Sequence, residues 1–195
     1  MAKVIAFTNV TLDGVMQAPA HPDEDTRDGF IHGGWAAPFR AMQEAGDVLA
    51  DVGAVLFGRW TYESFYAAWG NQSDNPFTTF FNTMPKYVAS TTLEAPLIWM
   101  NSTLLTGDLA HTVGRIKDTQ DKHIVIFGSG VLLQSLMQSN LVDEYVLLIH
   151  PLVLGSGRRL FTTGGATATL RLGNSKTTSN GVIIARYEST HPSTV

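Results

Sequence analysis

Three short segments of the chain carry residues suited to gripping phosphate. In Phe127-Gly128-Ser129-Gly130-Val131-Leu132, two glycines stand between an apolar run and a helix-forming one. Glycine lets the backbone approach an anion closely, and a helix start offers free N–H groups with partial positive charge. The spacing is not GxGxxG, because Leu133 occupies the third glycine position, and a glycine turn before a helix also serves as plain punctuation. In Gly58-Arg59-Trp60-Thr61-Tyr62-Glu63 a strand ends and a guanidinium and a hydroxyl follow at a helix start. Arg grips phosphate through its planar fork, and Thr61 can donate or cap. In Ser90-Thr91-Thr92, hydroxyls follow a third apolar run; they suit a ribose phosphate and equally an ordinary turn. Together the three segments match a nucleotide with two phosphates and a further group at its 2′ end.

Other chemistry is less well served. The six histidines, at 21, 32, 111, 123, 150 and 191, show no i,i+4 or HxH spacing and the chain has no cysteine, so no metal site, thiolate catalysis or disulfide is expected. Asp143 and Glu144 are adjacent at the start of a strand and point to opposite faces, which argues against paired-carboxylate hydrolysis. A G-x-S-x-G nucleophile elbow is absent. Trp35, Trp60, Tyr62, Phe65, Tyr66 and Trp69 are dense around the second segment. They read either as an aromatic wall for a heterocyclic substrate, with Trp35 and Tyr62 the nearest candidates, or as a packing stripe against the sheet or a partner subunit. Arg158 and Arg159 read as a solvated loop pair, with phosphate binding the other option.

The elements that must position these groups follow from periodicity. Residues 3–10, 53–57, 86–89, 123–127 and 144–149 are buried-strand runs, and 97–100 is a further short one. Helices are expected at 38–51 (Pro38 in its first turn; Phe39, Met42, Ala45, Leu49 and Val52 at helical spacing), from 59 to about 68, at 75–84, over about three turns from Leu109 with Thr106 or Asp108 as cap, and from Gly130 to about Asn140. Residues 167–173 and 180–188 form a hairpin. Strand–helix alternation implies a mainly parallel sheet covered on both faces, and the hairpin makes it mixed. The long segment 17–37, with an acidic cluster at Asp23, Glu24, Asp25 and Asp28, is a functional or mobile loop.

With 195 residues, 44% hydrophobic and 15% charged, the expectation is a single domain over 1–190 with a tail from His191. A net charge of -4 with scattered basic residues argues against nucleic acid. No apolar run reaches the roughly 20 residues of a bilayer span and no secretory leader is visible, so the protein is expected in the cytoplasm.

Val10-Thr11-Leu12-Asp13-Gly14, Leu56-Phe57-Gly58-Arg59-Trp60-Thr61-Tyr62-Glu63, Lys86-Tyr87-Val88-Ala89-Ser90-Thr91, Phe127-Gly128-Ser129-Gly130 and Leu141-Val142-Asp143-Glu144 occur in that order, followed by Pro151-Leu152-Val153-Leu154-Gly155-Ser156-Gly157. In this set, running from residue 3 to about 188, the chain resembles the dihydrofolate reductase superfamily. Within it, the chain is more similar to the reductase domain of the bifunctional riboflavin-biosynthesis deaminase/reductase, above all to stand-alone bacterial proteins built on that domain. The resemblance implies an α/β three-layer sandwich with a mixed, mostly parallel sheet and a C-terminal antiparallel hairpin. It implies NADPH as cofactor, a small pterin-like or riboflavin-precursor-like substrate, and a homodimer whose burial the aromatic-rich surface would suit.

On the matching positions, the resemblance puts Arg59 and Thr61 on the cofactor phosphates beside Gly58, with Arg59 near the 2′-phosphate. Ser90 and Thr91 would flank the adenosine, Gly128, Ser129 and Gly130 would cradle the pyrophosphate, Leu132 would line the adenosine side, and Val131 would also bind the cofactor. Asp13 and Gly14 would border the nicotinamide, with Asp13 orienting substrate, relaying a proton or only capping its turn. The chain departs from the folate enzymes where the first helix should carry a carboxylate: the segment reads Ala36-Ala37-Pro38-Phe39-Arg40, with Glu44 a turn further on. It also lacks the zinc deaminase domain. A nucleotide sensor that kept the fold and lost turnover is the alternative, since fold does not dictate function.

Overall fold

The structure, a computed structural model, describes residues 2–72 and 76–190, apart from the side chains of residues 43 and 47–49. The expected tail from His191, the first residue of the 75–84 helix and the Leu49 side chain lie outside the described residues. In chain order, β1 is Val4–Thr11, β2 Val52–Gly58, α1 Arg59–Phe65, α2 Pro76–Thr83, β3 Lys86–Ala89 and β4 Ser102–Leu105. Then come α3 Leu109–Thr119, β5 His123–Phe127, α4 Gly130–Gln138, β6 Glu144–His150, β7 Leu170–Thr177 and β8 Ile183–Ser189.

The eight strands form one sheet in the order β4-β3-β2-β5-β1-β6-β8-β7. The first six run parallel, and β8 pairs antiparallel with both β6 and β7. The central strands are apolar on both faces because both faces are covered. Ala6, Leu56, Ile124 and Ile126 turn toward α3 and α4 with Val113, Leu133 and Leu136. Their neighbours Ile5, Phe7, Val55, Phe57, Val125 and Phe127 turn toward α1, α2 and the 41–49 segment with Tyr62, Phe81 and Ala45. A one-residue slip would exchange the two faces, so burial on both sides pins the register.

Four expectations are corrected. The segment 38–51 is not one α-helix: 3₁₀ turns at Ala37–Phe39 and Ala41–Leu49 flank Arg40, whose φ is 50°. The break sets Phe39 against His150 while Ala41 and Ala45 stay buried. The 59–68 helix is α-helical only to Phe65 and widens into a π turn, Tyr66–Gly70. A Cβ on Gly70 would lie 2.2 Å from the Tyr66 ring, so only glycine fits there. Residues 97–100 are not a strand; the strand is β4, two residues beyond. Trp99 is buried, its backbone N–H donates to the Tyr62 hydroxyl at 2.8 Å and its Nε1 to Asn82 Oδ1 at 2.6 Å. That run is apolar because it plugs the core, not because it pairs in the sheet. The hairpin's first strand extends to Thr177, with a bulge between Leu172 and Asn174.

Candidate functional site

The carboxyl ends of β1, β2 and β5 open into a cleft of about 1170 Å³. This is where ligands bind in open parallel sheets. One stretch of its wall is polar. At the β5 exit, Gly128 (φ 55°) and Ser129 (φ 55°) are both left-handed, a state that costs an L-residue about 1–2 kcal/mol. The twist turns the Ser129 side chain away from the helix it precedes, so it makes no cap hydrogen bond to α4. Instead Ser129 Oγ accepts from the Gly58 N–H at 2.9 Å and donates to Thr61 Oγ1 at 2.8 Å. The first two sequence segments are thereby stitched together across the β2–β5 pair. The N–H groups of Gly130, Val131 and Leu132, in the first turn of α4, have no carbonyl a turn earlier to donate to. Gly58, Arg59, Thr61, Gly128, Ser129, Gly130, Val131 and Leu132 all line the cleft.

Arg59 leans over this exit, with Nε 3.2 Å from Glu63 Oε1 and Nη1 donating to Thr92 Oγ1 at 2.7 Å. The third segment reaches the site through Thr92. Ser90 Oγ accepts from the N–H groups of Thr92 and Leu93 at 3.1 and 3.0 Å, which closes the turn after β3. Thr91 is exposed, and neither Ser90 nor Thr91 lines the cleft.

Another part of the cleft is aromatic, with Phe7, Phe65, Trp69, Phe77, Phe81 and Phe127 on its walls. The aromatic stripe of the sequence therefore divides. Phe65 and Trp69 face the cleft, whereas Tyr62 and Tyr66 pack on Trp99. Tyr62 is buried, with its hydroxyl taken by Trp99. Much of the surface that would have suited burial in a dimer is thus inside the protomer. Trp35 sits one layer behind the cleft: its Nε1 donates to the Gln17 carbonyl at 2.7 Å and its ring meets His150 edge-on, 5.1 Å between centroids.

Asp13 and Gly14 are also absent from the cleft wall. Asp13 Oδ1 accepts from the Thr11 hydroxyl at 2.6 Å and from the Leu154 N–H at 3.2 Å, and Oδ2 accepts from the Gly155 N–H at 2.9 Å. The Thr11 hydroxyl and these backbone amides outweigh burial and hold its carboxyl at about 2. A group so acidic and so fully engaged anchors the 152–155 loop. Gly14 turns the chain at φ 80°, its N–H donating to the Thr11 carbonyl and its own carbonyl accepting from Leu160. Arg159 donates to the Asp13 carbonyl at 2.9 Å, and Arg158 pairs with Asp28 at 2.9 Å. Both arginines are exposed, as expected of a solvated loop pair, and both also line the cleft, each beside an acidic residue.

The 17–37 loop covers the cleft. Its Arg27 guanidinium lies 4.1 Å from the Trp60 ring centre, and Trp60 Nε1 donates to the Glu24 carbonyl at 3.3 Å. Burial would raise the Asp25 carboxyl, but Arg27 more than offsets it and leaves Asp25 below its ordinary range. Burial pushes the Glu24 carboxyl up despite the Ala20 and His21 N–H groups it accepts from. Sequence reasoning passed over Glu24, Asn9 and Gln17, all on the cleft wall. Only the acidic cluster hinted at Glu24, and nothing in spacing pointed to the other two. Among the described residues, no three His, Asp or Glu side chains gather where they could hold a metal ion, and no helix is long and apolar enough to cross a membrane.

Comparison with known proteins agrees with this architecture. Residues 2–184 match the family model of the RibD C-terminal domain. The uncharacterized protein YyaP of Bacillus subtilis (strain 168) is 29% identical over 178 residues, covering 83% of this chain and 89% of YyaP. Among solved structures, a putative riboflavin biosynthesis protein from Shewanella sp. PV-4 superposes with a TM-score of 0.68 at 21% identity, over 98% of this chain and 100% of that one. Dihydrofolate reductase from Enterococcus faecalis, in complex with NADP(H), superposes with a TM-score of 0.57 at 11% identity, over 97% and 95%. The sheet order, the C-terminal antiparallel strands and these neighbours make the fold dihydrofolate-reductase-like, and the chain belongs to the RibD C-terminal domain family.

Proposed function

We propose that this protein is an NADPH-dependent reductase of a small heterocyclic substrate. The observation that carries the reading is the β2–β5 exit: an uncapped α4 start, Gly128 without a side chain and the Ser129–Thr61–Gly58 clasp, all opening on one cleft. At about 1170 Å³ the cleft exceeds the ~300–1,000 Å³ of an ordinary small-molecule site, which leaves room for a cofactor and a substrate together. The RibD C-terminal domain family is reductase-type, and its fold relative from Enterococcus faecalis holds NADP(H).

In this reading Gly128, Ser129, Gly130, Val131 and Leu132 hold the pyrophosphate through backbone N–H groups, and Arg59 and Thr61 take the remaining phosphate, with Thr92 positioning Arg59. Ser90 and Thr91 lie beyond, where the adenosine would end. When bound, NADPH supplies the hydride. The chain's own residues orient and shield: the Arg27–Trp60 contact keeps the 17–37 loop closed, which excludes water. The aromatic part seats the ring. Glu24, whose neutral form burial favours, is the cleft carboxyl best suited to hold a proton, and Asp13 keeps the neighbouring loop in place.

The test is NADPH and NADH binding by wild type and Arg59→Ala, with oxidation followed by nicotinamide absorbance against pterins, flavin precursors and quinones. Arg59→Ala should weaken NADPH more than NADH by about 1.5–3 kcal/mol, the worth of a charge-assisted bond to the 2′-phosphate. Equal loss for both cofactors would remove Arg59 from that role. Tight NADPH binding without turnover across the panel would favour the sensor.

A further inference from the structure

Half-buried Asn9 and fully buried His150 form a polar pair at the edge of the aromatic chamber. Phe7 and Asn9 are two residues apart in β1 and share a face of the sheet, and Phe127 lies beside Phe7 in register. Asn9 therefore stands one step beyond the Phe7–Phe127 floor, and it lines the cleft. Its Oδ1 is 2.9 Å from His150 Nε2. His150 is fully buried, wedged edge-on between Trp35 and Phe39, each 5.1 Å away between ring centroids.

The tautomer follows by elimination. Nδ1 of His150 is buried and has no partner. If Nε2 were bare and Nδ1 carried the proton, a donor would be orphaned inside the protein, a rarer arrangement than an under-satisfied acceptor. Nε2–H therefore donates to Asn9 Oδ1, and Nδ1 is the idle acceptor. With Oδ1 occupied, the Asn9 amide turns its two N–H donors elsewhere, and among the described residues nothing accepts from them. The aromatic part of the cleft thus has at its margin an amide with two N–H donors to offer a ligand.

We propose that Asn9 is a specificity-determining residue, selecting substrates whose planar ring carries a carbonyl or ring-nitrogen acceptor, and that His150 is the positioning residue that fixes its amide. The inference deepens the reductase reading by naming what the chamber recognises, and rests on that reading only for the ring being the group reduced. Because the buried imidazole holds Oδ1 of the amide, the donors are oriented before the ligand arrives, and little ordering is left to offset the bond.

The test uses coumarin, a flat bicycle with a ring carbonyl, and naphthalene, a flat bicycle without one, titrated against the full chain by ligand-observed NMR. Asn9→Ala should weaken coumarin about 3- to 10-fold, the worth of one hydrogen bond, and leave naphthalene within about 2-fold. His150→Leu should reproduce most of that selective loss, and His150→Gln, which restores a neutral donor to Asn9, should recover part of it. Equal weakening of both probes by Asn9→Ala, or no change in coumarin, would overturn the proposal. So would failure of wild type to bind coumarin. Should His150→Leu not fold, Asn9→Ala and His150→Gln decide alone. NADPH affinity of wild type, measured separately, tells the two readings apart: its absence sinks the reductase while the coumarin ratio still judges Asn9.

Discussion

Replacing Ser129 separates the two physical loads on the β5 exit. Its hydroxyl makes two bonds, from Gly58 N–H at 2.9 Å and to Thr61 Oγ1 at 2.8 Å. Its backbone sits in the left-handed region at φ 55°, ψ 52°. Ser129→Ala removes both bonds and leaves the backbone strain unchanged. At about 1 kcal/mol net per bond, it should cost about 2 kcal/mol. Ser129→Gly loses the same bonds but relieves a strain of about 1 kcal/mol, so it should cost about half as much. Thr61→Val removes one bond and should cost about 1 kcal/mol. Combined with Ser129→Ala, it should add less than its single value, because the two share that bond. Urea unfolding is the assay. With m near 2 kcal/mol/M, Ser129→Ala moves the midpoint down by about 1 M with m unchanged. Both Ser129 variants should also bind NADPH more weakly, since each frees the β2 exit from the β5 exit. Stability of Ser129→Ala equal to wild type, Ser129→Gly falling below Ser129→Ala, or full additivity with Thr61→Val would refute the clasp.

Three further outcomes follow from the site. Asp13→Asn should unfold more easily than wild type at neutral pH while retaining turnover. The folded carboxyl sits near 2, so the advantage it confers exists above its unfolded value and fades as pH falls toward 2, closing the gap between the proteins in acid; a large loss of kcat with unchanged stability would return Asp13 to the chemistry. Trp60→Ala removes the ring under Arg27 and the donor to Glu24, so amide exchange in residues 20–28 should accelerate and substrate KM should rise, and protection equal to wild type would dismiss the latch. Burial pushes the His150 imidazole down to about 4 from 6.5. Between those values the unfolded chain takes up a proton that the folded chain does not, so stability should fall by about 3 kcal/mol as pH drops from 6.5 to 4. Denaturant midpoints across that range should show the slope in wild type and a shallower one in His150→Gln; equal slopes would mean that His150 is not the titrating group.

The two-sided apolar runs of β1, β2 and β5, the start of α3 with its cap narrowed to Thr106 or Asp108 (the structure has the Asp108 carboxylate accepting from the His111 N–H at 2.7 Å), and the late hairpin were legible in the sequence alone. Each is a local matter, decided by which residues tolerate a strand interior, a helix start or a turn. The polar wall of the cleft was legible for the same reason, since glycine and hydroxyl residues at strand exits announce themselves. Which side chains face the cleft was decided only by tertiary structure. Tyr62 and Trp35 carry the residue types of a substrate wall, yet one caps the Trp99 plug and the other braces His150. Asp13 has the type of a proton carrier but spends its oxygens on a loop 141 and 142 residues away in sequence. Asn9 and His150, also 141 residues apart, meet because β1 and β6 are neighbours in the sheet. Sequence spacing records what a residue can do. What it has left to offer a ligand depends on which of its bonding groups distant segments have already taken.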